Sequence, residues 1–301
     1  TPGRHIEAPV AASASTAPEN IPSFNRRRLC IRPLWHDRAF SCRDTCLDTL
    51  GVYMETARRI RAAVDSVSLL RQTSAASPGI ASSIGRIKRF QSRRFSGTYA
   101  DLLGSSRFGP AALFFLEELY SDSDFAQRDA QFARIAGAIE KFFPKQVAQT
   151  AVALAELHAL TEELDHAMGA VLPSFDTDRA DASPAQYLAA WRQVNRRADR
   201  EAQLRVVLGI GHELARLTRT PGIRLLLKMM RAPANAANLG ALQNFLEAGF
   251  DTFAALARRG GGVDEFLAII EERETDLIAA MFDAEFVALE TKLHSTLGLA
   301  R

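Results

Sequence analysis

The stretch Phe114-Phe115-Leu116-Glu117-Glu118-Leu119-Tyr120 decides the fold class of this chain. At 3.6 residues per turn, its apolar side chains cover most of the circumference of a helix and leave one arc for two adjacent carboxylates. Such a helix belongs in the interior of a helical protein. Carboxylates there need cations or hydrogen-bond donors, so we expect Glu117 and Glu118 to form a buried polar cluster, with Tyr120 as a further binding residue.

The chain from Gly51 onward has the same helical character. Apolar residues recur at helical spacing, and neither an alternating strand pattern nor a two-residue hairpin turn interrupts them. Helix starts are marked by capping residues, as in Ser183-Pro184-Ala185-Gln186. These patterns predict an all-α fold, a bundle-like domain of many helices joined by short connections. The predicted helices include 110–120, 145–172, 184–218, 221–231 and 234–258.

The first fifty residues differ from the rest of the chain. Residues 1–25 are rich in Ala, Ser and Pro without periodicity, and three consecutive arginines follow them. This composition predicts a disordered tail over residues 1–50, followed by a helical domain over residues 51–301. The irregular segment 173–183 is a candidate boundary within that domain.

Composition places the chain among soluble proteins. It has 301 residues, of which 47% are hydrophobic and 24% charged, and it lacks the run of about 18 apolar residues that a membrane-spanning helix needs. We therefore expect no membrane partner. Cys30, Cys42 and Cys46 are odd in number and, with His36, match no compact zinc site. Cysteines without a disulfide framework favour the cytoplasm.

Charge is distributed unevenly, although the net charge is only +2. Residues 51–100 hold nine basic residues against two acidic ones, and residues 264–290 hold nine acidic residues against one basic residue. The two segments are candidates for mutual pairing. Arg89 and Arg93 share a helix face, so we expect their guanidinium groups to bind carboxylates of the 114–120 helix or of the acidic segment.

The predicted helix 145–172 carries the candidate ligand-binding edge. His158, Glu162 and Asp165 follow one another at spacings of four and three, which stacks them beside the apolar stripe of that helix. The interpretation is a hydrogen-bonded histidine beside carboxylates at a helix interface, with a metal or acid/base site as the alternative. Glu163 and His166 match one half of a di-iron motif, but the second half is missing and both side chains are predicted to be solvated. No metal and no cofactor are therefore expected.

The stretch from Phe114 to Tyr120 also resembles, letter for letter, the motif that names an uncharacterised bacterial family, the FFLEELY-motif proteins. Other stretches are similar to that family as well, namely Arg89–Phe95, Thr98–Leu103, Asp124-Phe125 with Arg128-Asp129, and Phe245–Phe250. The resemblance covers roughly residues 85–282. It implies a helical fold and no assigned activity, so it carries over no catalytic residue.

Together these patterns favour a cytoplasmic interaction or binding protein with an unidentified protein partner, and not an enzyme. One alternative is a helical metal-binding oxidoreductase that uses His158, Glu162 and Asp165, together with Glu117 or Glu118. A second is a nucleic-acid binder that uses the basic faces of 86–94 and 185–232. No Gly-rich phosphate loop, Gly-x-Ser-x-Gly turn or His-Glu-x-x-His motif is present, so nucleotide and hydrolase functions have no support.

Overall fold

Twelve helices make up the described part of the chain. The computed structural model describes residues 47–118, 125–172, 181–258 and 260–300, with side chains from residue 55 onward except at residue 142. No β-strand occurs within these ranges, which confirms the predicted all-α fold. The helices are α1 Leu47–Ala75, α2 Pro78–Thr98, α3 Ala100–Leu103, α4 Gly109–Glu118, α5 Ala126–Phe142, α6 Lys145–Val171, α7 Pro184–Val194, α8 Arg197–Thr218, α9 Ile223–Ala236, α10 Gly240–Ala257, α11 Gly262–Asp283 and α12 Phe286–Gly298.

Several sequence predictions fall outside these residues. They are most of the predicted tail, all three cysteines with His36, Tyr120, and most of the segment 173–183. Residues Thr45–Arg301 form one compact unit by their contacts. The predicted boundary within 173–183 stays a prediction. None of the described helices combines the length and the apolar character needed to cross a bilayer.

Helix α6 lies at the centre of the bundle, where it packs against α1, α2, α5, α7 and α8. Helix α4, which carries the Phe114-Phe115 pair, packs against α2, α3 and α10 instead. It buries both phenylalanines but exposes Leu113 and Glu117, which lie one turn apart on its outer face. The expectation that this helix lies in the protein interior is therefore only partly met, because α4 keeps a solvent-facing side.

Three apolar clusters form the core. The first joins α4 to α10 and α11, with the Phe115 and Phe266 rings 5.4 Å apart in an edge-on arrangement. The second joins α2, α7, α11 and α12, with the Phe90 and Tyr187 rings stacked at 4.1 Å. The third joins α1, α5 and α6 around Ile60, Phe132 and several alanines. All three clusters supply residues to the cavity described below.

The predicted helix 184–218 is two helices in the structure. Its start agrees with prediction: Ser183 Oγ accepts from the Gln186 backbone N–H at 3.2 Å, and Gln186 Oε1 accepts from the Ser183 N–H at 3.0 Å. The chain then turns at Asn195, whose φ of 49° lies in the left-handed region. Asparagine adopts that region more readily than other non-glycine residues, so the change of direction falls there.

Helix α9 continues through Pro233 to Ala236, although the sequence predicts a break near residues 232–233. Proline lacks the N–H that would bond to the carbonyl four residues earlier, at Met229. The Met229 side chain is 65% exposed, so this position faces water that can satisfy the carbonyl. Helix α10 accordingly begins at Gly240, later than predicted.

Helix α12 closes the bundle against α2 and α7. At the crossing with α2, a Cβ atom placed on Gly97 would lie 1.9 Å from the backbone oxygen of Thr296. Glycine is therefore required for the two backbones to approach this closely. The contact buries Leu289 and Leu293 of α12.

Candidate functional site

A cavity of about 130 Å³ lies beside α6, among residues from all three apolar clusters. Its volume is close to the roughly 150 Å³ of an engineered cavity that binds benzene in another protein. Charged side chains line it, namely Lys88, Arg94, Arg128, Arg200, Glu118, Asp129, Glu162, Asp165 and Glu274. Aromatic side chains line it as well, namely Phe125, Phe132, Tyr187, Trp191 and Phe245. We call this space the polar cavity.

Helix α6 supplies His158, Glu162 and Asp165 to one wall of the polar cavity. Their spacing of four and three places them on one face of the helix. The His158 side chain is 21% exposed, whereas Asp165 is almost fully buried. The polar cavity therefore has an outer end near His158 and an inner end near Asp165, about 10 Å apart along the helix axis.

Three helices meet at Asp129 near the outer end. Asp129 Oδ2 lies 2.8 Å from Arg71 Nη2 of α1 and 3.0 Å from His158 Nε2 of α6. Burial alone would raise the pKa of the Asp129 carboxyl. The hydrogen bonds with His158 and Arg71 and the positive charge of Arg71 outweigh burial, so this pKa lies below its ordinary value. Asp129 is therefore a carboxylate at neutral pH.

The pKa of the Asp165 carboxyl group, at the inner end, is shifted in the opposite direction. Burial raises its pKa, although the charges of Lys88 and Arg200 and a hydrogen bond from Gln91 act against that shift. Gln91 Nε2 donates to Asp165 Oδ1 at 2.9 Å. Burial also raises the pKa of the neighbouring Tyr187 hydroxyl, which keeps that group a hydrogen-bond donor at neutral pH. Two carboxyl groups of one cavity thus have pKa values shifted in opposite directions.

Trp191 and Arg200 form a stacked pair at the inner end. The Arg200 guanidinium carbon lies 4.1 Å from the centre of the Trp191 ring. Arg200 Nη2 lies 3.0 Å from Met168 Sδ, and Arg200 Nη1 lies 3.3 Å from Gln203 Oε1. The Trp191 ring nitrogen is buried and has no hydrogen-bond partner among the described residues. An indole N–H can only donate, so Trp191 needs an acceptor.

Arg94 and Glu274 form a buried ion pair in the wall of the polar cavity, and the two side chains are 8% and 9% exposed. The Tyr99 hydroxyl donates to the same glutamate oxygen at 2.9 Å. This pair connects the basic segment 51–100 to the acidic segment 264–290. Other bases of the first segment pair elsewhere: Lys88 Nζ lies 2.6 Å from Glu162 Oε1, and Arg59 Nη2 lies 2.7 Å from Glu156 Oε2.

The two adjacent glutamates of α4 have different environments. Glu118 lines the polar cavity, and its Oε2 accepts from Arg128 Nη1 at 2.8 Å. The Arg128 guanidinium lies over the Phe125 and Phe245 rings, at 3.9 and 4.5 Å from their centres. Glu117 is exposed, so the expected polar cluster includes Glu118 but not Glu117. The reason is geometric, because successive residues of a helix point about 100° apart.

Arg89 and Arg93 also differ from expectation. Among the described residues, both pair with Asp181, at 3.5 and 2.5 Å, rather than with the expected carboxylates. Arg94 makes the contact with the acidic segment instead. The reason is again helical geometry: Arg94 follows Phe90 by four residues on the buried face of α2, whereas Arg89 and Arg93 lie toward the edge of that helix.

Glu163 and His166, which match half of a di-iron motif, lie in different environments. Glu163 is exposed and its Oε1 lies 2.5 Å from Arg196 Nη1, as a solvated residue should be. His166 is half-buried rather than solvated, and its Nε2 has no hydrogen-bond partner in the described part of the chain. Within the described ranges, no three His, Cys, Asp or Glu side chains converge in a geometry that could hold a metal ion.

Sequence reasoning missed most of the cations and the tryptophan of the polar cavity. One signal was available, because a charged residue at helical spacing from apolar ones marks a buried polar group. Glu274 lies four residues from both Ile270 and Ile278 on α11, and Arg94 lies four residues after Phe90 on α2. Asp129 and Trp191 carry the same signal, because Asp129 lies three residues before Phe132 and Trp191 lies four residues after Tyr187. Their partners could not be found in this way, because those come from other helices.

The region that forms the polar cavity matches a known protein family, described as Domain of unknown function (DUF8198), over residues 70–287. The chain belongs to this family. All the charged and aromatic residues of the polar cavity named above lie inside the matched region of the DUF8198 domain. No curated protein and no solved structure matches the chain.

Proposed function

We propose that this DUF8198 protein is a binding protein and that the polar cavity holds a small organic molecule. The observation that carries the proposal is a cavity of about 130 Å³ lined by both charged and aromatic side chains. Protein interiors are close-packed, and sites for small molecules are concave spaces lined by apolar side chains with a few polar groups. A molecule with one ring and a polar group matches such a lining.

The size of the cavity limits the class of molecule. A space that compares with a benzene site accommodates a ligand of roughly six to ten non-hydrogen atoms and excludes a nucleotide. Rings pack well against Phe132 and Phe245, while the charged walls orient a polar substituent. We therefore expect ring-sized molecules that carry one polar group to bind.

The test uses the full chain and three probes of similar size: benzoate, benzylamine and benzyl alcohol. We expect at least one probe to raise the midpoint of thermal unfolding in a concentration-dependent way, because a ligand present at 100 times its Kd stabilises a protein by about 2.7 kcal/mol. The variant Ala155→Leu adds three carbon atoms to the cavity wall and should abolish this shift. Ala170→Leu, at an exposed position of the same helix, is the matched control and should keep the shift.

Two outcomes would contradict the proposal. In the first, none of the three probes at millimolar concentration changes the unfolding midpoint of the wild-type protein. In the second, a probe binds Ala155→Leu as well as it binds the wild type, which would place the binding outside the polar cavity.

A protein partner is the second candidate, and α9 supports it. Leu225 and Met229 are 62% and 65% exposed, lie one turn apart, and are flanked by Arg224 and Lys228. Exposed apolar side chains grouped in this way are typical of interaction surfaces. A partner recovered from native lysate by the wild-type protein should be lost with the double variant Leu225→Ser/Met229→Ser. Recovery of the same partner with both proteins would contradict this surface.

We further propose that the chain is one of the bacterial FFLEELY-motif proteins and acts in the cytoplasm. The letter-for-letter resemblance of Phe114–Tyr120 to that motif supports the first statement, and the cysteine content supports the second. Fractionation of the cells that produce the protein, with immunodetection, tests the location.

A further inference from the structure

The face of α9 that points away from the bundle is apolar. Helix α9 packs against α10 and α8, and the side toward those helices carries Leu227 and the buried Ala234. Successive residues of a helix point about 100° apart, so the opposite side of α9 can be read from the sequence. It carries the exposed residues Leu225, Met229, Ala232, Pro233 and Ala236. A helix that is apolar on two opposite sides normally has both sides covered, so this outer face needs an occupant.

The charged residues of α9 lie along one edge of the outer face. Arg224, Lys228 and Arg231 follow one another at spacings of four and three. Arg224 pairs with Asp251 of α10 at 3.0 Å, and Arg231 pairs with Glu247 of α10. Lys228 is exposed and makes no hydrogen bond or ion pair within the described ranges, although its charge acts on Glu247. The edge therefore keeps a cation that faces water.

The sequence around α9 has an excess of positive charge. Residues 214–246 contain five basic residues and no acidic one. Arg219, which lies just before α9 begins, is exposed and is likewise without an ion pair among the described residues. Together with the three bases of α9 it gives four bases against the two acids Glu247 and Asp251. A surface that covers the outer face of α9 therefore meets positive charge, and a negatively charged surface is complementary to it.

We propose that the outer face of α9 binds the surface of a membrane that contains anionic phospholipids. The helix lies in the plane of the membrane surface, with Leu225 and Met229 at the boundary between headgroups and acyl chains and with Lys228 and Arg219 at the phosphate groups. This inference goes beyond the ligand of the polar cavity and names the occupant of the surface used by the second candidate function. The expectation of no membrane partner rested on spanning segments, which an interfacial helix does not need.

Two protein occupants fit this face less well. A second copy of the chain, joined through its own α9, would bring the bases of both copies together, which costs electrostatic energy. A partner helix normally docks into a groove. The depression between α9 and α10 has a volume of only about 10 Å³. Leu225 and Met229, which are 62% and 65% exposed, instead project from a convex surface, and a lipid interface receives such side chains without a shaped pocket.

The experiment measures sedimentation of the full chain with vesicles of phosphatidylcholine alone or of phosphatidylcholine mixed with phosphatidylglycerol. We expect the mixed vesicles to bind about ten-fold more tightly or better, because each of the two unpaired bases contributes a factor of about five near an anionic surface. Raising the salt concentration from about 0.1 M to about 1 M shortens the Debye length from about 10 Å to about 3 Å and should remove this preference.

A pair of lysine variants tests the charge. Lys228→Gln removes the exposed cation of α9 and should weaken binding to the mixed vesicles about five-fold, while binding to phosphatidylcholine alone changes little. Lys292→Gln is the matched control, because Lys292 is also exposed but lies on α12. It should bind the mixed vesicles as the wild type does.

A pair of double variants tests the apolar contact. Leu225→Ser/Met229→Ser should weaken binding to the mixed vesicles about ten-fold or more, because two apolar side chains no longer leave water. Val287→Ser/Leu299→Ser is the matched control, since these residues of the α12 region are 64% and 61% exposed. It should keep the wild-type affinity. Both double variants change exposed side chains, so their unfolding midpoints should stay close to that of the wild type.

The possible results separate this inference from the functions proposed above. The inference is wrong if the protein binds neither kind of vesicle, if it binds both kinds equally, or if the α12 variants lose as much affinity as the α9 variants. Binding of the small probes to the polar cavity is measured independently and survives each of these results. If vesicles do not bind but Leu225→Ser/Met229→Ser loses a partner from native lysate, the outer face of α9 binds a protein and not a membrane.

Discussion

Replacing Arg94 by methionine should destabilise the protein strongly. Glu274 Oε1 is bound by Arg94 and by the Tyr99 hydroxyl, and both charged side chains are less than one tenth exposed. In Arg94→Met the glutamate keeps one neutral donor but loses the cation that compensates its charge. Removing one partner of a buried pair costs about 3–5 kcal/mol, so we expect the free energy of unfolding to fall by that amount.

The control is Arg224→Met. Arg224 pairs with Asp251 on the surface at 3.0 Å, where both side chains are about half exposed. Methionine replaces the apolar stem of arginine by an unbranched apolar chain at both positions, so both variants lose the guanidinium group and differ in the burial of the ion pair. The expected loss for Arg224→Met is about 0–1 kcal/mol.

Urea unfolding followed by circular dichroism measures both variants. The double variant Arg94→Met/Glu274→Leu tests the cause, because replacing both charges by apolar groups removes the unpaired carboxylate and should recover most of the lost stability. The reasoning is refuted if Arg94→Met costs no more than Arg224→Met. It is also refuted if the double variant is less stable than Arg94→Met, because the cost would then come from lost packing rather than from the uncompensated charge.

Three further predictions concern pH and packing. The pKa of Asp129 is lowered on folding, so its stabilising contribution is present above its ordinary pKa of 3.8 and is lost as pH falls through the folded value. The loss of unfolding free energy caused by Asp129→Asn, measured by urea unfolding, should therefore become smaller in acid. The pKa of Asp165 is raised on folding, so its stabilising contribution is present below its ordinary pKa of 3.8 and is lost as pH rises through the folded value. Asp165→Asn should therefore gain stability relative to wild type from about pH 4 upward. A difference in unfolding free energy that does not change with pH would contradict this. Gly97→Ala should cost about 3 kcal/mol or more by the same assay, because its Cβ would overlap the Thr296 carbonyl, whereas Gly209→Ala has open space and should be neutral or stabilising.

Helical periodicity accounts for the parts of the site that lie on one helix. His158, Glu162 and Asp165 could be placed on one edge from the sequence, because their relation depends only on the 3.6-residue turn. The capping box at Ser183 was also predicted correctly, from its Ser-x-x-Gln motif. The all-α class followed from the absence of alternating patterns along residues 51–301.

Contacts between helices could not be obtained in this way. Asp129 meets His158 only after α5 packs on α6, and Trp191 reaches Arg200 only after the chain reverses at Asn195. Glu117 and Glu118 are adjacent residues of the same type, yet the orientation of α4 exposes Glu117 and places Glu118 in the wall of the polar cavity. That orientation depends on how Phe114 and Phe115 pack against α10 and α11, which no local pattern encodes.

Helix α12, which crosses α2 closely at Gly97, belongs to the core but lies almost entirely outside the region that the family matches. The family match ends at residue 287, whereas the buried Leu289 and Leu293 come after it, and the buried Ile60 of α1 comes before its start at residue 70. A fragment cut at the limits of sequence similarity would therefore uncover apolar surface on α2, α5 and α6. The region matched by the family is therefore shorter than the region that forms the apolar core.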